Sequence, residues 1–265
     1  MAPQLTQYGR HLFGICLLLS WLNSSANILA CGHMPYTRGI DMSLRLPFKA
    51  EVFLIAVMTA AGLAAGEAFV LRFYQAWTGA SVLVLIAAMR AIEMRQWPGE
   101  TVVSLGKYFP AAACLAAYLA AFGLAAKAPL SYREAAGWEA ACGVLAAAYA
   151  LSAWTKWRKA GKAWFNSTNL GLLMAERKDD KPLFLGPLRL YLACSPRFCK
   201  AFAALALILE ACGVVYVVPS ARWPFTIAAT LFQAGIAVLL GYMELEWILL
   251  IIALTINSLG RAAPV

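Results

Sequence analysis

Residues 149–181 read YALSAWTKWRKAGKAWFNSTNLGLLMAERKDDK, and the rest of the chain is organised around this stretch. It begins as the end of an apolar helix and becomes a band of Lys, Arg and Trp side chains suited to water or lipid headgroups. The sequence on both sides of it consists mostly of apolar runs. This combination of long apolar runs with one basic segment predicts a polytopic membrane protein.

The composition supports the same prediction. Of the 265 residues, 62% are hydrophobic and 13% are charged, whereas soluble domains have about 45–50% apolar and about 25% charged residues. Such a chain would expose apolar surface that water does not tolerate, so we expect lipid to be its solvent. We therefore expect an all-α helix bundle that forms a single transmembrane domain over residues 1–265.

The apolar runs predict about eight transmembrane helices. These runs lie near residues 12–30, 51–70, 74–92, 108–126, 137–157, 198–218, 223–241 and 245–259. The first run also resembles a signal peptide that ends at Cys31, but Leu29 fits the cleavage pattern poorly, so we expect a retained helix. The short link at residues 71–73 predicts that the second and third helices are antiparallel neighbours.

Residues 158–197 are predicted to form a basic loop at the membrane surface. Within it, residues 164–175 fit an interfacial amphipathic helix that is anchored by aromatic and Leu side chains. The run at residues 184–194 is too short to span a membrane and contains a proline. Cys194 and Cys199 are the only closely spaced cysteines, and the sequence leaves open whether they pair with each other.

The basic residues predict the orientation of the chain. If the segment 156–200 is cytoplasmic, alternation of eight helices places the loops at 32–49 and 90–107 on the same side. That side then holds 16 of the 22 Lys and Arg residues, which agrees with the positive-inside rule and places both termini outside. We expect a bacterial inner membrane protein whose basic residues contact membrane lipids rather than nucleic acid.

Glu210 and Lys156 are the strongest candidates for chemistry. A carboxylate within a span must be paired, protonated or next to water, so Glu210 either serves a cavity or fixes helix packing through a hydrogen bond. Lys156, at the end of the fifth predicted helix, is either a base activated by partial desolvation or an ordinary interfacial lysine. Glu51, Glu67 and Glu139 lie near span ends, where we expect them to reach the interface.

Amide side chains lie inside predicted spans at Asn23, Asn27, Gln233 and Asn257. They either line a cavity or hold helices together by hydrogen bonds. Asn23 and Asn27 are four residues apart and therefore share one helix face. With only two His in the chain, the sequence predicts no His-rich metal site.

The segment YALSAWTKW at residues 149–157, followed by Trp164, resembles the core of the horizontally transferred transmembrane (HTTM) domain. This is the membrane domain of the vitamin K-dependent γ-carboxylase family. The later span with an interior Glu210 and the paired closing helices fit the same layout. The DoxX and MauE-like small membrane families share a similar step, in which a helix ends at a Lys and a later span bears a Glu.

The resemblance implies that Lys156 matches the family's lysine, the proposed base that acts with a reduced quinone-type cofactor in true carboxylases. The sequence departs from the family at Gln233, where a His is expected, and it has no large extramembrane domain for protein substrates. These departures argue against γ-glutamyl carboxylation. They leave an HTTM-like membrane protein with a redox, modification or accessory role.

The sequence thus predicts an intramembrane cavity near Lys156, Glu210 and Gln233 that binds a lipid-like or quinone-like ligand. The expected site residues are Lys156 and Glu210 as catalytic groups, and Gln233, Asn23, Asn27 and Trp164 as ligand-binding groups. One alternative is a non-catalytic subunit that scaffolds a larger membrane complex, and another is a small transporter. A ligand site requires Lys156 or Glu210 to open into a pocket, whereas a scaffold would hold the two in closed pairs.

Overall fold

The computed structural model describes residues 2–33, 48–96, 110–166, 170–172, 174, 186–240 and 245–262. Every regular element in these residues is helical and none is a strand, which confirms the all-α prediction. The α-helices are α1 (Ala2–His33), α2 (Phe48–Val70), α3 (Gln75–Gln96), α4 (Pro110–Leu124), α5 (Leu130–Ala160), α6 (Gly186–Ala193), α7 (Pro196–Ala211), α8 (Arg222–Leu240) and α9 (Leu245–Ala262). Short 3-10 helices occupy Gly161–Phe165, Cys212–Val217 and Pro219–Ala221.

Two helical stretches of the described chain are long and apolar enough to cross a membrane, judged by length and composition. They are Val52–Val70 and Pro196–Val217, and only 22% of each is buried within the chain. The core helix of a water-soluble protein would be mostly buried, so these outward-facing apolar side chains point to membrane association. Each of the eight predicted spans overlaps an α-helix, but eight membrane crossings remain a prediction.

The basic loop differs from its prediction in one respect. Trp164 and Phe165 belong to the 3-10 helix that follows α5, and Asn166 then has extended backbone dihedrals. A single amphipathic helix beginning at Trp164 is therefore wrong for its first residues, because the chain turns there. The remainder of the predicted segment lies partly outside the described residues. Helix α6, with eight residues, is too short to span a bilayer, as expected.

The chain divides into two compact units. The first comprises Met1–Ala141 and Ile252–Val265, and the second comprises Cys142–Ile251. In the first unit α2 packs against α3, which confirms that they are neighbours. A turn at residues 71–74 joins them.

Aromatic side chains form the core of the first unit. The Tyr118 ring on α4 lies 4.8 Å from that of Trp138 on α5 and 5.6 Å from that of Phe69 on α2. Phe13 on α1 meets Trp138 edge to face at 5.2 Å. All four side chains are buried, so these four helices share one apolar centre.

The second unit has its own aromatic core around Tyr149 of α5. The Tyr149 ring packs edge to face against Phe225 of α8 at 5.3 Å and against Trp247 of α9 at 5.8 Å. Gly213 follows α7 and allows this packing, because a Cβ atom there would lie 2.3 Å from the Cβ of Tyr149. The glycine is therefore needed for close approach of the chain to α5.

Helix α7 ends earlier than the predicted span. It stops at Ala211 and continues as a 3-10 helix to Val217, so Glu210 lies near the end of the α-helical part rather than at its middle. The buried guanidinium of Arg222 donates to the carbonyl oxygens of Tyr216 at 3.0 Å and Val217 at 3.3 Å. A cation at this position satisfies carbonyl groups that a helix end leaves without intrahelical partners.

Candidate functional site

Lys156 and Glu210 are 54 residues apart in sequence and meet in the second unit. The Nζ atom of Lys156 donates to Oε1 of Glu210, and the two side chains are 26% and 13% exposed. A lysine and a glutamate in an apolar environment each carry a large desolvation cost, which mutual pairing reduces. The structure thus brings together the two residues that the sequence singled out as catalytic candidates.

A local turn places a third predicted residue beside this pair. Gly161 has a φ of +49°, a conformation that glycine adopts without strain, and it follows the last residue of α5. The chain then turns so that the Trp164 ring lies 5.0 Å from Lys156 Nζ. Trp164 Nε1 donates to the carbonyl oxygen of Ala203 on α7 at 3.2 Å, which fixes the ring over the ammonium group.

This arrangement holds Lys156 between a carboxylate and an aromatic face. The other carboxylate oxygen of Glu210, Oε2, is buried and has no hydrogen-bond partner in the described part of the chain. A lysine that donates to a carboxylate is not free to act as a base until that contact opens. The geometry is that of an interhelical tie between α5 and α7.

The remaining predicted site residues are more dispersed. Gln233 is buried on α8, and its participation in a cavity with the pair remains a prediction. Asn23 and Asn27 lie in α1, but their side chains fall outside the described part of the structure. Asn257 on α9 is fully buried and donates to the carbonyl oxygen of Ala253 at 3.0 Å.

Asn257 also explains a close contact in the first unit. A Cβ atom on Gly9 would lie 2.8 Å from the side chain of Asn257, so the absence of a side chain at Gly9 lets the two helices approach. The hydrogen bond of Asn257 stays within α9, so Asn257 contributes to helix packing through its contact with Gly9 and not through a hydrogen bond between the described helices.

A shallow groove of about 350 Å³ lies between α5 and α7. Ala150, Ala153 and Ala211 line its floor, and Trp154 and Trp157 flank it with exposed fractions of 59% and 50%. We call this the α5–α7 groove. Neither Lys156 nor Glu210 lines it, although both lie on the same two helices.

A second groove, of about 470 Å³, was not expected from the sequence and lies in the first unit. We call it the α1–α2 groove; its lining includes His11, Trp21, Gly62, Gly66 and Glu67. Glu67 is exposed, and its carboxylate forms no hydrogen bond or ion pair with the described residues. The spacing of Gly62 and Gly66 directly before Glu67 is the sequence feature that could have indicated this groove, because small residues leave space on a helix face.

A charged cluster lies at one end of the first unit. Arg10 Nη2 is 2.8 Å from Glu134 Oε2, and Arg72 Nη2 is 3.4 Å from the same oxygen. Arg10 is almost fully buried, whereas the Arg72 side chain is 54% exposed. Two guanidinium groups face one carboxylate, so these three side chains together carry an excess positive charge.

Arg72 has an unusual backbone conformation. Its φ is +65°, and it follows α2 at the position where glycine is usual. Phe73 N donates to Ala68 O at 2.8 Å and Arg72 N donates to Phe69 O at 3.1 Å, which is the Schellman hydrogen-bond pattern. A non-glycine residue in this conformation carries strain, and such residues are found preferentially at functional sites.

Cysteines and acidic residues do not form a metal site within the described residues, where no group of three or more His, Cys, Asp or Glu side chains converges. Cys194 and Cys199 are both free thiols. Cys199 is buried and Cys194 is exposed.

Comparison of the chain with protein-family models, with curated proteins and with solved structures finds no match. The resemblance to the HTTM domain therefore remains a prediction that depends on the motif residues alone.

Proposed function

We propose that this protein is a multi-pass membrane protein of about eight spans that serves as a non-catalytic subunit of a larger membrane complex. The observation that carries this proposal is the mutual pairing of Lys156 with Glu210. An enzyme built on this lysine would need it to face a ligand pocket. The pair instead ties α5 to α7, which is what a scaffold requires.

The arrangement of the first unit supports the multi-pass topology. Arg10, Arg72 and Glu134 come from three segments that eight alternating spans would place on one side of the membrane, and these side chains meet. The same alternation places the basic segment 156–200 in the cytoplasm of a bacterium, bounded by the inner membrane.

The α5–α7 groove supports a docking role. Its alanine floor lets another helix approach closely, and the exposed rings of Trp154 and Trp157 are the kind of side chain that dominates binding energy at interfaces. An apolar transmembrane helix of a partner subunit fits this surface, because the groove offers shape and apolar area but no charge along its lining.

The test compares Trp154→Ala combined with Trp157→Ala against Trp77→Ala, which removes a Trp that is 77% exposed and lines neither groove. Each full-length variant is expressed in its native host and purified in mild detergent, and the complex is weighed by native mass spectrometry. We expect the double variant to have the mass of the isolated chain, and the Trp77→Ala control to have the mass of the complex with its partner. Purification of the wild-type protein without any stoichiometric partner would refute the subunit role.

A second candidate function is binding of a lipid-like or quinone-like ligand next to Lys156. One observation favours it. Glu210 Oε2 has no hydrogen-bond partner in the described chain, and the Lys156 side chain is still 26% exposed. A ligand hydroxyl could donate to this oxygen, and the HTTM resemblance implies a quinone-type cofactor at the lysine. No structural observation favours the transporter alternative.

An exchange of the charges of Lys156 and Glu210 distinguishes the subunit role from ligand binding. In the subunit role, Lys156→Glu and Glu210→Lys should each reduce assembly, and their combination should restore it because a tie works in either direction. If the reversed pair restores folding of the chain while the activity of the parent complex stays lost, the ligand-binding candidate replaces the subunit role.

A further inference from the structure

We propose that the α1–α2 groove binds one aminophospholipid, with the headgroup ammonium at Glu67, the phosphate at Arg72 and one acyl chain along the groove. This inference concerns the first unit and does not depend on the subunit role. Both proposals assume that the protein lies in the membrane. Extraction of native membranes with alkaline carbonate tests this assumption separately.

The length of the groove fits an acyl chain in one leaflet. Its lining on α1 extends from His11 to Trp21, and ten residues of helix rise about 15 Å. That distance is half of the hydrocarbon core of a bilayer, which is about 30 Å thick. The volume of about 470 Å³ falls within the range of ligand-binding clefts, about 300–1,000 Å³.

Small residues keep the groove open. A Cβ atom on Gly66 would meet no other atom within 4 Å, whereas one on Gly62 would lie 3.2 Å from the Trp21 ring. Trp21 Nε1 donates to Thr59 Oγ1 at 2.8 Å, so its polar atom is satisfied and the ring is fixed in place. The wall that remains is an apolar surface suited to a hydrocarbon chain.

Glu67 gives the groove a negative charge near its end. It belongs to the apolar stretch Val52–Val70, where an isolated carboxylate is costly unless it is paired or reaches water. No described residue forms an ion pair or hydrogen bond with its side-chain carboxylate. A primary ammonium group, with three hydrogen-bond donors, is the chemical group that would satisfy this carboxylate.

The charged cluster supplies the complementary positive charge. Arg72 follows Leu71, which lines the groove, and its half-exposed guanidinium shares Glu134 with Arg10. Two guanidinium groups share one carboxylate here, so the three side chains together keep an excess positive charge. A guanidinium in this position favours a phosphate group, with which it forms charge-assisted hydrogen bonds.

A zwitterionic headgroup matches this pair of charges better than an anionic one. Phosphatidylethanolamine presents an ammonium and a phosphate, which correspond to Glu67 and Arg72. Phosphatidylglycerol has the phosphate but no ammonium, so Glu67 would remain without a cation. The strained backbone of Arg72 is consistent with retention of its side chain for this contact.

The experiment uses the full-length chain, delipidated in detergent and then mixed with equal amounts of dioleoyl-phosphatidylethanolamine and dioleoyl-phosphatidylglycerol. Native mass spectrometry counts the retained lipids. Variant Glu67→Gln removes the charge, and Gly66→Leu places a side chain in the groove at a position where a Cβ atom meets no other atom within 4 Å. The control is Gly143→Leu, which places the same side chain at another helical glycine with open space around it.

We expect the wild type and Gly143→Leu to retain phosphatidylethanolamine over phosphatidylglycerol by about tenfold, the value of one charge-assisted hydrogen bond. Glu67→Gln should lose this preference, and Gly66→Leu should retain neither lipid. Equal retention of both lipids by the wild type would overturn the proposal, as would full retention by Gly66→Leu. Equally tight binding of phosphoethanolamine, which has no acyl chain, would show that the groove has no role.

Discussion

Two glycines of helix α5 differ in what surrounds them. A Cβ atom on Gly137 would lie 2.6 Å from the Tyr118 ring, whereas one on Gly143 would meet nothing within 4 Å. Each Gly→Ala substitution gains helix propensity of about 1 kcal/mol. Overpacking at Gly137 costs about 1–3 kcal/mol, so we expect Gly137→Ala to unfold at a lower temperature than the wild type and Gly143→Ala at the same or a higher one.

Thermal unfolding in detergent, followed by circular dichroism, measures both variants. The two substitutions make the same chemical change within the same helix, so they differ mainly in the space available. If Gly137→Ala were as stable as Gly143→Ala, the close packing of α5 against Tyr118 would be refuted.

The two arginines that share Glu134 should differ in their effect on stability. Arg10→Met removes the shorter of the two arginine contacts to the buried carboxylate of Glu134, and removal of one partner from a buried pair costs about 3–5 kcal/mol. Arg72 is more than half exposed, and exposed pairs contribute less than about 1 kcal/mol. We expect Arg10→Met to lower the free energy of unfolding by several times as much as Arg72→Met.

Chemical denaturation of the two variants in the same detergent measures this difference. Arg10→Lys provides a control, because it retains the charge but not the guanidinium fork. A destabilisation of Arg72→Met as large as that of Arg10→Met would contradict the assignment of Arg10 as the buried partner.

At the scale of single elements, helix α7 begins with a defined cap. Ser195 precedes it with extended dihedrals and accepts a hydrogen bond from Phe198 N, and Pro196 occupies the first helical turn. Ser195→Ala should cost about 1 kcal/mol, the usual value of an N-cap. Ser195→Asp should retain the stability because an Asp oxygen accepts the same bond.

The readout for Ser195 is the midpoint of thermal unfolding of the purified chain. Loss of the cap should also lower the protection of the amides at residues 197–199 in hydrogen exchange, since these N–H groups lie in the first turn of α7. Equal midpoints for Ser195→Ala and Ser195→Asp would indicate that the side chain does not cap the helix.

The sequence predicted where the helices lie better than it predicted which helices and side chains contact one another. Long apolar runs restrict the backbone to helix, because hydrocarbon offers no partner for free peptide groups. The sequence placed Lys156 and Glu210 near one cavity but left open whether they pair with each other or face a ligand. That choice depends on how α5 and α7 pack, which the sequence does not show.

The early end of helix α7 and the α1–α2 groove were missed for different reasons. The 3-10 turn at residues 212–217 is stabilised by Arg222, and an apolar run in the sequence does not reveal that contact. Glu67 was assigned to an ordinary span end, because its position in the sequence is near the end of a helix. The groove depends on the space left between Gly66 and α1, which a single helix does not reveal.

At the scale of the whole molecule, the exposed thiol of Cys194 reports the orientation of the basic loop. Cys16, Cys114, Cys142 and Cys199 are buried, so they should not react in the folded protein. In a variant with Cys31→Ala and Cys212→Ala, we expect a membrane-impermeant maleimide to label Cys194 in inverted inner-membrane vesicles and not in intact spheroplasts, because the loop is predicted to be cytoplasmic.

The matched control places a cysteine on the opposite side. Lys127 is exposed in the short link between α4 and α5, which alternation of the spans assigns to the outside. Lys127→Cys in a background without Cys194 should react in spheroplasts. Labelling of both positions from the same side would rule out the alternation of eight spans.

The contacts made by Arg10 and Phe13 have a consequence for the biogenesis of the protein. Both side chains lie in α1, where Arg10 binds Glu134 and Phe13 packs on Trp138. If a signal peptidase cut after Ala30, the first unit would lose both contacts and expose a buried acid and a buried indole. We therefore expect α1 to be retained after biosynthesis, and a tag fused ahead of it should remain on the mature protein.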